Sequence, residues 1–170
     1  GASAYAPPPF MNTLDDLALR VESREQQLEV LEQLLGERRL NEAETLSGRP
    51  VLHGYVSSPF GRRVHPLTGR TSVHKGIDFA AKPGSDVVSV AAGVVTFSGR
   101  KNGYGNTVEI SHADGYVTLY AHNQSNTVQI GDLVQRGQVI AKVGRSGRST
   151  GYHVHFEVSK DGRQVNPALY

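Results

Sequence analysis

Six short β-branched runs dominate everything after Val51 and restrict the fold more than any other feature of the chain. "VVSVAAG", "VVTFSG", "NTVEIS", "YVTLYAH", "QVIAKVG" and "HVHFEVS" follow one another with Gly, Asn and Asp turn residues between them. Each is long enough for one strand, and no helical pattern lies between consecutive runs. The expectation is a mainly β domain of antiparallel sheets, a sandwich or barrel rather than βαβ units. "SKDGRQV" ends it with an Asp161-Gly162 turn suited to a tight hairpin.

The first fifty residues have a different texture. "GASAYAPPPF" reads as an extended Pro-rich leader, assigned to residues 1–12. Thr13, followed by Asp15 and Asp16, has the character of a helix N-terminus. Leu14, Val21, Leu28 and Leu35 recur every seven residues, with Leu17 and Leu31 in the second seam position and Arg24 and Arg38 interrupting it. An amphipathic helix is therefore expected over 13–47, packed on its own domain or paired as a coiled coil, with Gly36 as a point to end or bend. "SGRP" at 47–50 marks the break, and 48–170 forms the β domain.

Charge follows the same division. Residues 1–50 hold five basic and nine acidic side chains and the remainder thirteen and seven, net −4 and +6. A positive domain attracts polyanions. Its basic residues are scattered, with no arginine-rich helix and no interleaved aromatic platform, which argues against nucleic acid. With no cysteine, any transition metal must be held by histidine and carboxylate. There is no apolar run of about 18 residues and no basic-then-apolar leader, so the chain reads as cytoplasmic or as a fragment separated from its targeting segment.

The histidines carry the chemistry. In "GYHVHFEV" strand alternation sends His153 and His155 to one face and Tyr152, Val154 and Phe156 to the other. "HKGID" offers His74 and Asp78 from a loop entering a strand, unlike a helical zinc motif. "YAHN" places His122 at a strand end. His74, Asp78 and one member of the His153/His155 pair would supply three ligands and leave a fourth position open, the arrangement of a catalytic zinc. Spacing does not divide 153 from 155.

"SPFGRRVHPLTG", "HKGIDFA", "YVTLYAH" and "GRSGRSTGYHVHFEV" together resemble the LytM or lysostaphin-type peptidase domain, the M23 family of zinc peptidoglycan endopeptidases, over about residues 50–170. The resemblance implies an antiparallel β core with a groove, Zn²⁺ on His74, Asp78 and His155, and His122 with His153 as the catalytic pair. It implies peptidoglycan as substrate, either D-amino-acid cross-links or glycine bridges. The acidic helical appendage favours a Gram-negative periplasmic enzyme, membrane-anchored in its full-length form. Some relatives lack ligands and activate other wall hydrolases, which makes a non-catalytic regulator the alternative. The helix would then dock a protein partner, self-associate, or latch across the groove through residues 13–46. His65 and His112 read as structural, His53 as surface, and Arg63 as solvating a loop in preference to positioning substrate. Glu157 either orients a zinc ligand or faces solvent, and "GRSGRSTG" lines substrate.

Overall fold

The structure, a computed structural model, describes residues 9–64 and 71–170, with backbone alone at 9, 11, 12 and 37–44. Two compact units divide the chain, Gly1–Glu42 and Ala43–Tyr170.

Helix α1 (Pro9–Glu44) begins four residues ahead of the expected Thr13. Proline is tolerated at the first helical position because the N–H it lacks would have no intrahelical partner there. The remaining leader residues, 1–8, lie outside the described residues. The helix continues through Gly36, where an end or bend was expected. One interior glycine costs only about 1 kcal/mol relative to alanine. The seam residues Leu14, Leu17, Val21, Leu28, Leu31 and Leu35 are each at least 50 % exposed. Asp16 and Arg20 pair at 2.8 Å, one turn apart.

The second unit is built from β1 (Tyr55–Ser58), β2 (Gly61–Val64), β3 (Thr71–His74), β4 (Ile77–Ala80), β5 (Asp86–Val88), β6 (Gly93–Lys101) and β7 (Gly105–Ser111). It continues with β8 (Tyr116–Asn123), β9 (Ser125–Asn126), β10 (Leu133–Val134), β11 (Val139–Lys142), β12 (His153–Lys160) and β13 (Arg163–Val165). The main sheet runs β1-β4-β12-β8-β7-β6-β10, with β13 also paired to β12. A smaller sheet is ordered β5-β11-β9, and β2 pairs with β3. All strand pairs are antiparallel. The expected β12–β13 hairpin is present, with Asp161 and Gly162 at φ 49° and 77°, the two left-handed positions of a type I′ turn.

One hydrophobic core joins the main sheet to the three-stranded sheet: Val108, Ile110, Tyr120, Val154 and Phe156 meet Val87, Ile140 and Val143. Leu46 belongs to it as well, only 5 % exposed, and so does Val51. Ser47 N–H donates to Val90 O at 3.2 Å and Val88 N–H to Pro50 O at 2.8 Å. The stretch after the helix therefore covers the core rather than swinging free.

His112 fills the structural role expected of it. Buried at the end of β7, its Nδ1 lies 2.8 Å from Ala92 O and its Nε2 2.7 Å from Thr118 Oγ1. That chain extends to Tyr120 Oη, which accepts from Val90 N–H at 3.1 Å. Burial pushes the His112 pKa below its ordinary 6.5, against the opposing pull of Ala92 O. The unfolded chain then takes up a proton near pH 6.5 that the folded chain refuses, so this stability is complete above that pH and declines as pH falls towards the folded value. The expected result is a Tm that drops between pH 7.5 and 5.5 by less in His112→Gln than in the parent. Equal drops by differential scanning fluorimetry would refute it.

Candidate metal centre

The register of β4, β12 and β8 builds the floor of the site. His155 stands opposite Asp78 on one side and Ala121 on the other. Residues paired in this way share a face, so Asp78 and His155 point together, away from the core that takes Val154, Phe156 and Tyr120. His74 closes β3, and the chain then crosses to β4 through Gly76. A Cβ there would lie 2.3 Å from Phe156 O, so only glycine permits so close a crossing.

Three donor atoms converge. His74 Nε2 lies 3.2 Å from Asp78 Oδ1 and 3.2 Å from His155 Nδ1, and His155 Nδ1 lies 2.7 Å from Asp78 Oδ1. Tetrahedral zinc with bonds of about 2.0–2.1 Å has ligand–ligand edges of roughly 3.3 Å. The triangle is of that size, slightly tight along one edge. Each imidazole is also held in the tautomer a metal requires. His74 Nδ1–H donates to Pro59 O at 2.8 Å, which leaves Nε2 with its lone pair facing the other donors. His155 Nε2–H donates to Glu157 Oε1 at 2.9 Å, which leaves Nδ1 inward. Glu157 is fixed in turn by Tyr104 Oη at 2.9 Å and Gln164 Nε2 at 2.6 Å. Of the two readings of Glu157, orientation of a ligand and solvent exposure, the structure shows a buried carboxylate hydrogen-bonded to His155.

Two further imidazoles stand beside the triangle. Strict alternation along β8 would send His122 to the core face with Tyr120, but its φ of 64° turns it to the other side. A left-handed non-glycine residue costs about 1–2 kcal/mol. Its N–H donates to Tyr104 O and its Nδ1–H to Ser146 O, each at 2.8 Å. His153 Nδ1–H donates to Gly151 O at 3.0 Å, with Ser149 Oγ at 3.2 Å, and its Nε2 is 3.8 Å from Asp78 Oδ1. The His122 and His153 ring centroids are 4.8 Å apart. Both rings thus keep Nε2 as their free nitrogen.

The electrostatics favour a cation. Burial alone raises the Asp78 carboxyl, but the hydrogen bonds and charges of His155 and His74 outweigh it and hold the group well below the carboxylate range. Burial depresses His155, yet the flanking Asp78 and Glu157 carboxylates push it up to about 9. A site that retains a proton so strongly attracts positive charge, and a divalent ion answers the same field. Burial lowers the His122 pKa below its ordinary value, against the opposing pull of Ser146 O. Tyr104 is raised to about 12, first by burial and then by Glu157.

All five histidine and aspartate positions singled out in the sequence line one cavity of about 520 Å³. Arg63 lines it too and donates to Ser58 Oγ at 2.9 Å. His53 is exposed, and His65 lies outside the described residues. Tyr104, Ser146 and Gln164 were not anticipated. Each reaches a histidine or Glu157 from a glycine-rich loop or neighbouring strand, where the sequence carries no periodic signal.

The model of peptidase family M23 matches residues 72–167. Among curated proteins, DD-carboxypeptidase/endopeptidase Mpg of Neisseria meningitidis serogroup B is 47 % identical over 130 residues, 76 % of this chain and 30 % of the relative. Peptidoglycan DD-endopeptidase ShyC of Vibrio cholerae is 41 % identical over 113 residues, 66 % of this chain and 26 % of the relative. The chain thus spans under a third of the length of these two relatives. A solved zinc-containing peptidase from Vibrio cholerae shares the fold at a TM-score of 0.66 and 40 % identity, covering 70 % of this chain and 38 % of the other. The match over most of the β unit and the converging donor set have one reading: this chain belongs to peptidase family M23.

Proposed function

We propose that this chain is the catalytic portion of a zinc-dependent endopeptidase that hydrolyses peptide cross-links of bacterial peptidoglycan. The observation that carries the reading is the triangle of His74 Nε2, Asp78 Oδ1 and His155 Nδ1, with His122 and His153 beside it. The relatives named for DD-endopeptidase activity support D-amino-acid cross-links over glycine bridges. The peptidase domain, expected over 48–170, is taken to include Leu46 and Ser47, which pack on its core, and the helix expected over 13–47 is taken as the appendage α1, whose exposed seam suits a protein partner or a second copy. That substrate implies an extracytoplasmic, periplasmic setting. Among the described residues no helix is long and apolar enough to cross a membrane.

In this reading His74, Asp78 and His155 hold the zinc, while Glu157 fixes the His155 tautomer. Zinc, when bound, supplies Lewis acidity that polarises an amide carbonyl and makes hydroxide available near neutral pH. One of His122 and His153 accepts the proton of the attacking water through Nε2. That proton then passes from the same Nε2 to the departing amine, and the other ring, when it carries a second proton on Nε2, donates a hydrogen bond to the developing oxyanion. Ser146 O and Gly151 O hold these rings at the opposite nitrogen, so neither turns away during transfer.

A non-catalytic regulator has no need of three matched donors and two oriented bases in one cavity. Defined cross-linked muropeptides separate the two readings. The expected products, by mass spectrometry, are those of cleavage at the D,D-amide, lost on chelation and restored by zinc. Intact muropeptides with stoichiometric zinc on the protein would support the regulator.

A further inference from the structure

We propose that Arg148 determines specificity by binding the free carboxylate of the residue on the leaving side of the scissile amide. The inference rests on the hydrolase reading above. In a D,D-amide the departing amine is attached to a carbon that also bears a carboxylate, whether that residue ends the peptide or belongs to a second stem. A glycine bridge offers no such charge at an internal bond. The two substrate classes therefore differ by one anion next to the bond that breaks.

The cavity is prepared for that anion. Its own carboxylates are already engaged: Asp78 with His74 and His155, Glu157 with His155, Tyr104 and Gln164. Arg148 lines the same cavity, is exposed, and forms no ion pair among the described residues. Its guanidinium lies over Gly103, where an added Cβ would be 3.7 Å from Nη2.

The backbone beneath it is rigidly placed. Arg148 N–H donates to Gly103 O at 2.9 Å, and Ser146 Oγ donates to Asn123 O at 2.7 Å. Gly147 meets Gly105 so closely that a Cβ on it would lie 2.4 Å from Gly105 N, and both have positive φ. The same loop supplies Ser146 O to His122 and, through Ser149 Oγ and Gly151 O, partners for His153. The departing amine must lie beside the imidazole that protonates it, and its α-carboxylate is one carbon further on. Arg148 rises from the loop that holds both imidazoles, whichever of them protonates the amine. Lys75 follows His74, and Arg63 is engaged with Ser58.

The test uses two cross-linked muropeptides, one with the leaving-side carboxylate free and one with it amidated. A hydrogen bond to a charged group is worth about 1.5–3 kcal/mol, a factor of roughly 10–100. The parent should prefer the free acid by that factor in kcat/KM, mainly through KM. Arg148→Gln should lower the preference at least tenfold with zinc content unchanged, and Arg148→Lys should retain part of it. A preference unaltered in Arg148→Gln, or one that moves instead with Lys75→Gln, overturns the assignment while leaving the hydrolase reading intact. Cleavage of neither substrate by the parent removes both.

Discussion

Replacing His155 by alanine is expected to leave a folded protein that no longer retains zinc and whose rate falls by about 10³-fold or more. The side chain is one vertex of the donor triangle and touches both buried carboxylates, Asp78 at 2.7 Å and Glu157 at 2.9 Å. Its loss leaves two donors, short of the three protein ligands that catalytic zinc requires. The rate follows the metal, because the oriented imidazoles alone cannot polarise the carbonyl. Elemental analysis after dialysis, with circular dichroism to verify the fold, reads the outcome directly. One zinc per chain in His155→Ala would contradict the ligand assignment.

His153→Ala should behave in the opposite way towards metal and in the same direction towards rate. Its Nε2 is 3.8 Å from Asp78 Oδ1, outside the triangle, so zinc content should equal that of the parent. The loss of one positioned proton-transfer group should reduce kcat by about 10²–10⁴. His122→Ala should fall in the same range, and the double variant should lose little more than the worse single one, since the two act as a unit. A His153→Ala protein that cleaves at the parental rate, or one that loses its zinc, would refute the division of roles.

Much of this architecture is written locally. Period-two alternation placed His153 and His155 on one face and Val154 and Phe156 in the core, because β12 is a regular central strand. The Asp161-Gly162 turn was equally plain, since only a few residue types accept two successive left-handed positions. The convergence of His74 and Asp78 on His155 needs pairings across some eighty residues, and only the family resemblance supplied it. His122 shows where alternation misleads. Its position in β8 assigns it to the core, and a single reversed φ overrides the pattern. Tyr104 and Gln164 were invisible because their importance comes from reaching Glu157, a contact no local period encodes. The helix start was misplaced because Pro9, a helix breaker in the interior, is an acceptable opening residue.

The interlocked glycines at 105 and 147 bind the loop of Arg148 to the turn that precedes β7. In the proposed assignment, selectivity and reactivity are thereby mounted on one stiff bracket but on separable parts of it. The His122 ring hangs from a main-chain carbonyl, Ser146 O, whereas the guanidinium of Arg148 is only a side chain projecting from the bracket. On the role proposed for Arg148, exchanging the group at 148 would retune which walls are cut and leave the chemical step in register. Lengthening the 101–105 turn would dislodge both at once.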